Sequence, residues 1–331
     1  MKKLASLTFV MTSIFAMALS GCSSSSSTTD SKSTASSKEG KPLNVALIVK
    51  SVDSEYWLTV KAGAEKAAKE LGVNVSFKGA PSETDIAGQI SIVENAVNQH
   101  MDGIVLAASD TKALVAPAEK AIGAGIPVVT VDSGIDSDKP QSFIATDNEK
   151  AAEEAAKTLA EMTGKKGKVA VVSFVPGAAT AVMRENGFKA GIKQFPKMNI
   201  VATQYSQSDK ARALSVTEDI LTANPGVVGL FGANNKSALG AAQAIKQKGL
   251  EDKVNLIAFD ADPDEINELQ KGTIKALVVQ NPFKMGYEGV ANVVKAIKGE
   301  QVEKHIDTGV TVVTKDNIND PEVQKLLFPN K

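Results

Sequence analysis

From Leu43 onward the chain alternates short, apolar, β-branched runs with stretches whose apolar residues recur at helical spacing, and this alternation leaves few folds open. The run Leu43 to Val49 reads as a strand. It is followed by a helix-period set at Trp57, Val60, Ala64, Ala67 and Leu71, with Gly72 as the stop. The unit then repeats as strand Val73 to Phe77, helix Ile86 to Val97, strand Ile104 to Ala107, helix Ala113 to Ile122 and strand Pro127 to Val131. A second array begins after Asp147 and Asn148. It runs through helix Ala151 to Met162, strand Lys168 to Phe174, helix Ala181 to Phe195, strand Ile200 to Tyr205, helix Ala211 to Leu221 and strand Val227 to Phe231, and is extended by helix Ala238 to Lys248 and strand Val254 to Phe259.

Strands this apolar suit parallel sheets covered by helices on both faces, with right-handed crossovers. At 331 residues the chain is long enough for two such arrays, each with its own core. The expected fold is therefore α/β, two similar doubly wound parallel-sheet lobes with a ligand cleft between them.

In such sheets ligands bind beyond the carboxyl ends of the strands. Lys50, Ser51, Tyr56 and Trp57 follow the first strand, Asp132 the strand ending at Val131, and Asn234 the strand ending at Phe231; Asp260 and Gln280 follow two more. Carboxylates and amides serve adjacent hydroxyls through two atoms, an arginine such as Arg184 can fork between oxygens, and aromatic faces suit C–H patches. Leaving one such group unpaired in a closed cleft costs about 1–3 kcal/mol, so their number points to a polyhydroxylated ligand. Each residue also has a purely structural reading: Trp57 as core, Asp132 and Asn234 as turn or capping residues, Lys50 turned to solvent, Arg184 on an exposed helix face.

The ends of the chain add a different kind of information. Lys2 and Lys3 precede a mostly apolar run, Leu4 to Leu19, and then Leu19-Ser20-Gly21-Cys22. This reads as a secretory signal over residues 1–21, too short for comfortable membrane spanning, with the small residues before Cys22 resembling a bacterial lipobox. Cleavage there makes Cys22 the lipidated first residue. As the only cysteine it can form no intrachain disulfide. Residues 22–41 are dominated by Ser, Thr and Lys and read as a tether with a root-mean-square reach of about 25 Å. The protein is thus expected outside the cell, held by lipid to the outer face of the cell membrane.

A formal net charge of -1 argues against nucleic acid as a partner. With only His100 and His305, and no phosphate-binding glycine loop, the sequence does not read as an enzyme; Gly164-Lys165-Lys166-Gly167-Lys168 precedes a strand and reads as a turn. No cofactor is expected, and no carboxylate cluster has calcium-loop spacing, so no metal is expected either.

Over Leu43 to about Val313 the chain resembles the type I periplasmic monosaccharide-binding proteins of ABC importers, especially ribose and allose binders. The resemblance is carried by Ala46-Leu47-Ile48-Val49-Lys50-Ser51 with Tyr56-Trp57, by Ala80-Pro81-Ser82-Glu83-Thr84-Asp85, by Val129-Thr130-Val131-Asp132, by Arg184-Glu185-Asn186-Gly187-Phe188, by Ala233-Asn234-Asn235, by Phe259-Asp260-Ala261-Asp262-Pro263 and by Val279-Gln280-Asn281-Pro282. It implies that Lys50, Asp132, Arg184, Asn234, Asp260 and Gln280 hydrogen-bond a sugar, with Trp57 and Tyr56 stacking on a ring face. Ser133 stands where ribose binders have a second arginine and Ser54 where an asparagine is usual, and both are counted with the site. Ser208 stands where an aromatic of the second lobe normally stacks, which leaves room for a different epimer or a polyol.

The resemblance further implies three crossings between lobes, a monomer, hinge closure around the ligand, and delivery to a membrane permease and its ATPase. The lobes are then residues 42–146 plus 281–309 and residues 147–280 plus 310–331, with the segment Pro282 to Lys298 returning to the first. A sensing role for a polyol or other small polar ligand fits the same residues. A sugar-responsive transcription regulator shares the fold, but its DNA-binding head would have to stand where this chain has the signal, Cys22 and the tether.

Overall fold

The computed structural model describes residues 41–329; the leader, Cys22 and the serine-rich segment up to residue 40 lie outside the described residues. In chain order the first elements are β1 (Asn44–Val49), α1 (Glu55–Leu71), β2 (Asn74–Gly79), α2 (Ile86–Asn98), β3 (Gly103–Leu106), α3 (Val115–Gly123), β4 (Val128–Val131) and β5 (Phe143–Ala145). There follow α4 (Asn148–Met162), β6 (Lys166–Ser173), α5 (Ala179–Lys193), β7 (Lys197–Tyr205), α6 (Lys210–Ala223), β8 (Val227–Gly232), α7 (Asn235–Gln247), β9 (Asn255–Phe259), α8 (Pro263–Lys271) and β10 (Ile274–Val279). The chain closes with α9 (Pro282–Ile297), β11 (His305–Asp307), β12 (Thr311–Val313) and α10 (Pro321–Leu327).

Two six-stranded sheets result, ordered β11-β5-β4-β3-β1-β2 and β12-β10-β9-β8-β6-β7. The first is parallel throughout, and in the second only the β10/β12 pair is antiparallel. The chain passes between sheets three times: from β5 to α4, which packs on α5, from β10 to α9, which packs on α1, and from β11 to β12.

The two-sided burial of each sheet is visible strand by strand. Val45, Leu47 and Val49 of β1 join α1 and α9 in one core, while Ala46 and Ile48 face α2 and α3 in another. In β9, Leu256 and Ala258 join one core and Ile257 and Phe259 the other. Strand alternation thus builds two cores per sheet from nearly continuous apolar runs.

Three very short strands, β5, β11 and β12, and the helices α8 and α10 were not expected from periodicity. In α8 the local signal is a capping box: the Asp262 side chain accepts from Glu265 N while the Glu265 side chain accepts from Asp262 N, with proline just inside the start. Helix α4 begins three residues earlier than its apolar spacing suggests, because Asp147 caps it by accepting from Lys150 N. Gly72 ends α1 in the left-handed conformation, φ 69°. The glycine-lysine run is a turn only at Gly164 and Lys165, since β6 starts at Lys166.

Candidate functional site

The carboxyl ends of β1 and β4 in one sheet and of β6, β8, β9 and β10 in the other face a common cavity with about 40 Å³ of room for the centres of water molecules. Lys50, Ser54, Tyr56, Trp57 and Asp132 line it from the first lobe and Arg184, Asn234, Asp260 and Gln280 from the second. Three residues singled out in the sequence do not line it: Ser133 is buried and its hydroxyl donates to Asp132 Oδ2, Ser51 is buried and its hydroxyl donates to Asp53 Oδ1, and the Ser208 hydroxyl donates to Glu83 Oε2.

Asp132 and Asp260 each follow a strand with positive φ, 58° and 85°. Aspartate tolerates this region better than most residues, and such backbone clusters at functional sites. Asp132 gathers three further donors or charges. Lys50 Nζ lies 2.9 Å from its Oδ2, the Tyr56 hydroxyl donates to its Oδ1 at 2.8 Å, and Arg184 acts from the other lobe. Burial on its own would raise the Asp132 carboxyl, but the Lys50 and Arg184 charges and the Ser133 hydrogen bond outweigh it and hold the group below the usual range. Asp260 goes the other way: burial raises it, and neither Arg184 nor the Gln280 amide that donates to Oδ1 at 2.7 Å offsets this fully. The Tyr56 hydroxyl is pushed well up by burial and then by Asp132 and Asp260, so it remains a neutral donor.

Arg184 is neither exposed nor free to swing. Its Nε donates to Asn148 Oδ1 and its Nη1 to the Ala233 carbonyl, both at 2.8 Å, and its guanidinium stacks 3.6 Å from the Phe259 ring centre. Asn234 is a helix cap that also lines the cavity. Its Oδ1 caps α7 by accepting from Ser237 N, and its Nδ2 donates to Ser208 Oγ at 3.0 Å. Gln280 is 2% exposed and its Oε1 has no hydrogen-bond partner among the described residues. Trp57 meets Tyr56 edge to face at 4.9 Å, with Lys50 Nζ 5.8 Å from its ring.

Five cavity residues were missed in the sequence: Glu83, Phe174, Thr180, Asn235 and Lys236. Phe174 directly follows β6, but a strand drawn one residue too long hid it from the strand-end rule. It supplies an aromatic of the second lobe from a different position than Ser208. The lobes meet across the cleft through Lys50 Nζ to Thr180 Oγ1 at 3.3 Å, Lys236 to Asp53 at 2.7 Å and Ser208 Oγ to Glu83 Oε2 at 2.7 Å.

Buried charges of both signs, Lys50 and Arg184 against Asp132 and Asp260, compensate one another inside the wall, which favours a neutral polar guest over an ion. Among the described residues no group of three or more His, Cys, Asp or Glu is placed to hold a metal ion, and no helix is long and apolar enough to cross a membrane.

Known proteins are similar to this chain in sequence and in fold. The D-allose-binding periplasmic protein of Escherichia coli (strain K12) is 31% identical over 78% of this chain and 85% of its own length. The ribose import binding protein RbsB of Bacillus subtilis (strain 168) is 30% identical over 83% of this chain and 88% of its own. A crystal structure of an ABC transporter solute-binding protein from Agrobacterium vitis with bound D-fucose has 44% identity and a TM-score of 0.84, covering 86% of this chain and 99% of that one. One from Agrobacterium radiobacter in complex with D-arabinose has 40% identity and the same score and coverage. The family model described as periplasmic binding protein domain matches residues 45–301. By its two α/β lobes, its interlobe cavity and this match, the chain belongs to the periplasmic binding proteins of the type I, monosaccharide-binding kind.

Proposed function

We propose that this protein captures a neutral monosaccharide, an aldose of the ribose or allose kind, in the cavity between its lobes and delivers it to an ABC sugar importer. The observation that carries the reading is the cavity wall itself: side chains with paired donors and acceptors converge from both sheets, and Gln280 Oε1 is buried there without a hydrogen-bond partner among the described residues. A buried acceptor left open costs about 1–3 kcal/mol, which a ligand hydroxyl recovers on binding. The allose, ribose, fucose and arabinose named for the relatives and solved neighbours belong to one chemical class and support the same reading.

In this proposal Lys50, Asp132, Arg184, Asn234, Asp260 and Gln280 hydrogen-bond the sugar, Trp57 and Phe174 offer aromatic faces, and Ser54 and Tyr56 complete the first-lobe wall. The lobes comprise residues 42–146 plus 281–309 and 147–280 plus 310–331. The protein acts as a monomeric binder rather than an enzyme, exported by residues 1–21 and anchored through lipidated Cys22 and the tether to the outer face of the cell membrane. There it meets the permease and its ATPase.

A thermal-shift screen of the purified protein against D-ribose, D-allose, D-fucose, D-arabinose and a set of polyols tests the sugar reading, because a ligand bound only by the native state raises the melting temperature. A rise confined to one stereochemical series is expected. No rise with any sugar would overturn the proposal, and a rise with polyols alone would replace its ligand class.

A further inference from the structure

Glu83 sits in the loop between β2 and α2, and the roles assigned above leave it unused. Its two carboxylate oxygens are divided between the lobes. Oε1 accepts the indole N–H of Trp57 at 3.2 Å, within the first lobe, and Oε2 accepts the Ser208 hydroxyl at 2.7 Å, from the second. Ser208 Oγ in turn accepts from Asn234 Nδ2 at 3.0 Å. A single hydrogen-bonded chain therefore runs from the aromatic wall of one lobe to a cavity amide of the other.

The backbone around Ser208 is built for this contact. Gln207 and Ser208 both have positive φ, 57° and 53°, a conformation that non-glycine residues keep only where the surroundings hold them there. The holding contacts are Ser206 N to the Ser173 carbonyl and Gln207 N to the Phe174 carbonyl, both at 2.9 Å, which tie the loop to the end of β6 beside the cavity. The result is a hydroxyl delivered to the opposite lobe.

We infer that Glu83 is a positioning residue that couples the Trp57 wall to lobe closure and so sets how long the ligand is held, an inference that rests on the sugar-binding reading above. The Trp57–Glu83 bond lies within one lobe and survives opening. The Glu83–Ser208 bond spans the cleft, so it stabilises only the closed form and slows release without requiring contact with the sugar. Of the other cross-cleft contacts, Lys236–Asp53 is substantially exposed, with side chains 25% and 48% accessible, and is weakened by solvent screening, while Lys50–Thr180 is longer at 3.3 Å. The carboxylate–hydroxyl bond of Glu83 is shorter than the Lys50–Thr180 contact and better shielded than the Lys236–Asp53 pair.

Trp57 is the only tryptophan, so the intrinsic fluorescence of the full-length protein reports on the indole that Glu83 holds. The test is stopped-flow release and capture of D-ribose, D-allose, D-fucose and D-arabinose by wild type, Glu83→Ala, Ser208→Ala, the double variant and Glu83→Gln, with melting temperatures of each unliganded protein. For the sugar that wild type binds, Glu83→Ala and Ser208→Ala are expected to release it about tenfold faster with association nearly unchanged. The double variant should release no faster than either single one, as expected for two ends of one bond. Glu83→Gln, which keeps an acceptor for Trp57 and can donate to Ser208, should lie between. The Trp57 emission of the unliganded protein should move in Glu83→Ala and stay unchanged in Ser208→Ala. Wild-type release rates in Glu83→Ala, with or without a lower melting temperature, would overturn the latch alone. A wild type that responds to none of the sugars would overturn the functional reading and the latch with it.

Discussion

Lys50 Nζ and Asp132 Oδ2 lie 2.9 Å apart with their side chains only 5% and 4% exposed, so the first lobe carries its own internal ion pair at the base of the cavity. Removing one member of a buried pair strands the other. Asp132→Ala should therefore cost about 3 kcal/mol of stability as well as sugar affinity. Asp132→Asn, which keeps shape and one acceptor, should lose affinity with a smaller fall in stability. The double change Lys50→Met with Asp132→Leu should recover much of the stability and none of the binding. Chemical denaturation and calorimetric titration of the three proteins separate these outcomes; a stable Asp132→Ala would mean that water fully replaces the carboxylate.

The backbone of α1 meets the backbone of α9 at two glycines. A Cβ on Gly63 would collide with the Phe283 carbonyl oxygen, and one on Gly286 with the Val60 carbonyl oxygen. Because backbone cannot rotate aside, Gly63→Ala or Gly286→Ala should lower the unfolding free energy by about 1–3 kcal/mol or more. Gly123, the last residue of α3, has no atom within 4 Å of a would-be Cβ, so Gly123→Ala should be neutral or gain up to about 1 kcal/mol. Denaturant melts give the comparison directly, and equal effects at all three positions would refute the close-approach argument.

What was legible in the sequence follows from range. Sheet strands and helices are set by periodicity within a few residues, so β1, β3, β4, β8 and β9 were found nearly in place. The cavity residues Lys50, Asp132, Asp260 and Gln280 were legible with them because each directly follows a strand, and Asn234 because it lies two residues past the end of β8. The strands β5, β11 and β12 are three residues long and carry no period to read. Glu83, Thr180 and Lys236 lie in a loop or at the start of a helix, and only the approach of the opposite lobe gives them a function. Ser133 also stands just past a strand end, but its hydroxyl donates to Asp132 and does not line the cavity, which no strand-end rule can read.

Glu265 gives the fold a pH dependence of known sign. It is fully buried, its Oε2 accepts from Asn235 Nδ2 and Asp262 N, and its Oε1 has no hydrogen-bond partner among the described residues. Burial, then the charges of Asp262 and Asp260, push its carboxyl well above the usual range. A group whose folded value is raised favours folding while it is protonated, and that contribution is lost as pH rises through the folded value. Glu265→Gln removes the titration and keeps the shape. Its stability relative to wild type should therefore increase with pH in denaturant melts run between about pH 5 and pH 8.5. A difference that is flat or falls with pH would mean that Glu265 is folded as the anion.

Arg184 separates the contribution of charge from that of shape in the site. Its positive charge favours the ionised forms of both Asp132 and Asp260, while its Nε and Nη1 are committed to Asn148 and Ala233 and its plane rests on Phe259. Lysine can supply the charge but not the fork or the stacked plane, because its ammonium is a point donor on a flexible stem. If the planar fork is what presents the remaining N–H groups to the sugar, Arg184→Lys should lose affinity at least about tenfold, nearly as much as Arg184→Met, and should also lose stability. If charge alone matters, lysine should bind almost as well as arginine and methionine should not. Calorimetric titration of both variants with the sugar found in the thermal screen distinguishes the two. The Asn148 and Ala233 bonds favour the first outcome, because they fix the guanidinium plane whether or not a ligand is present.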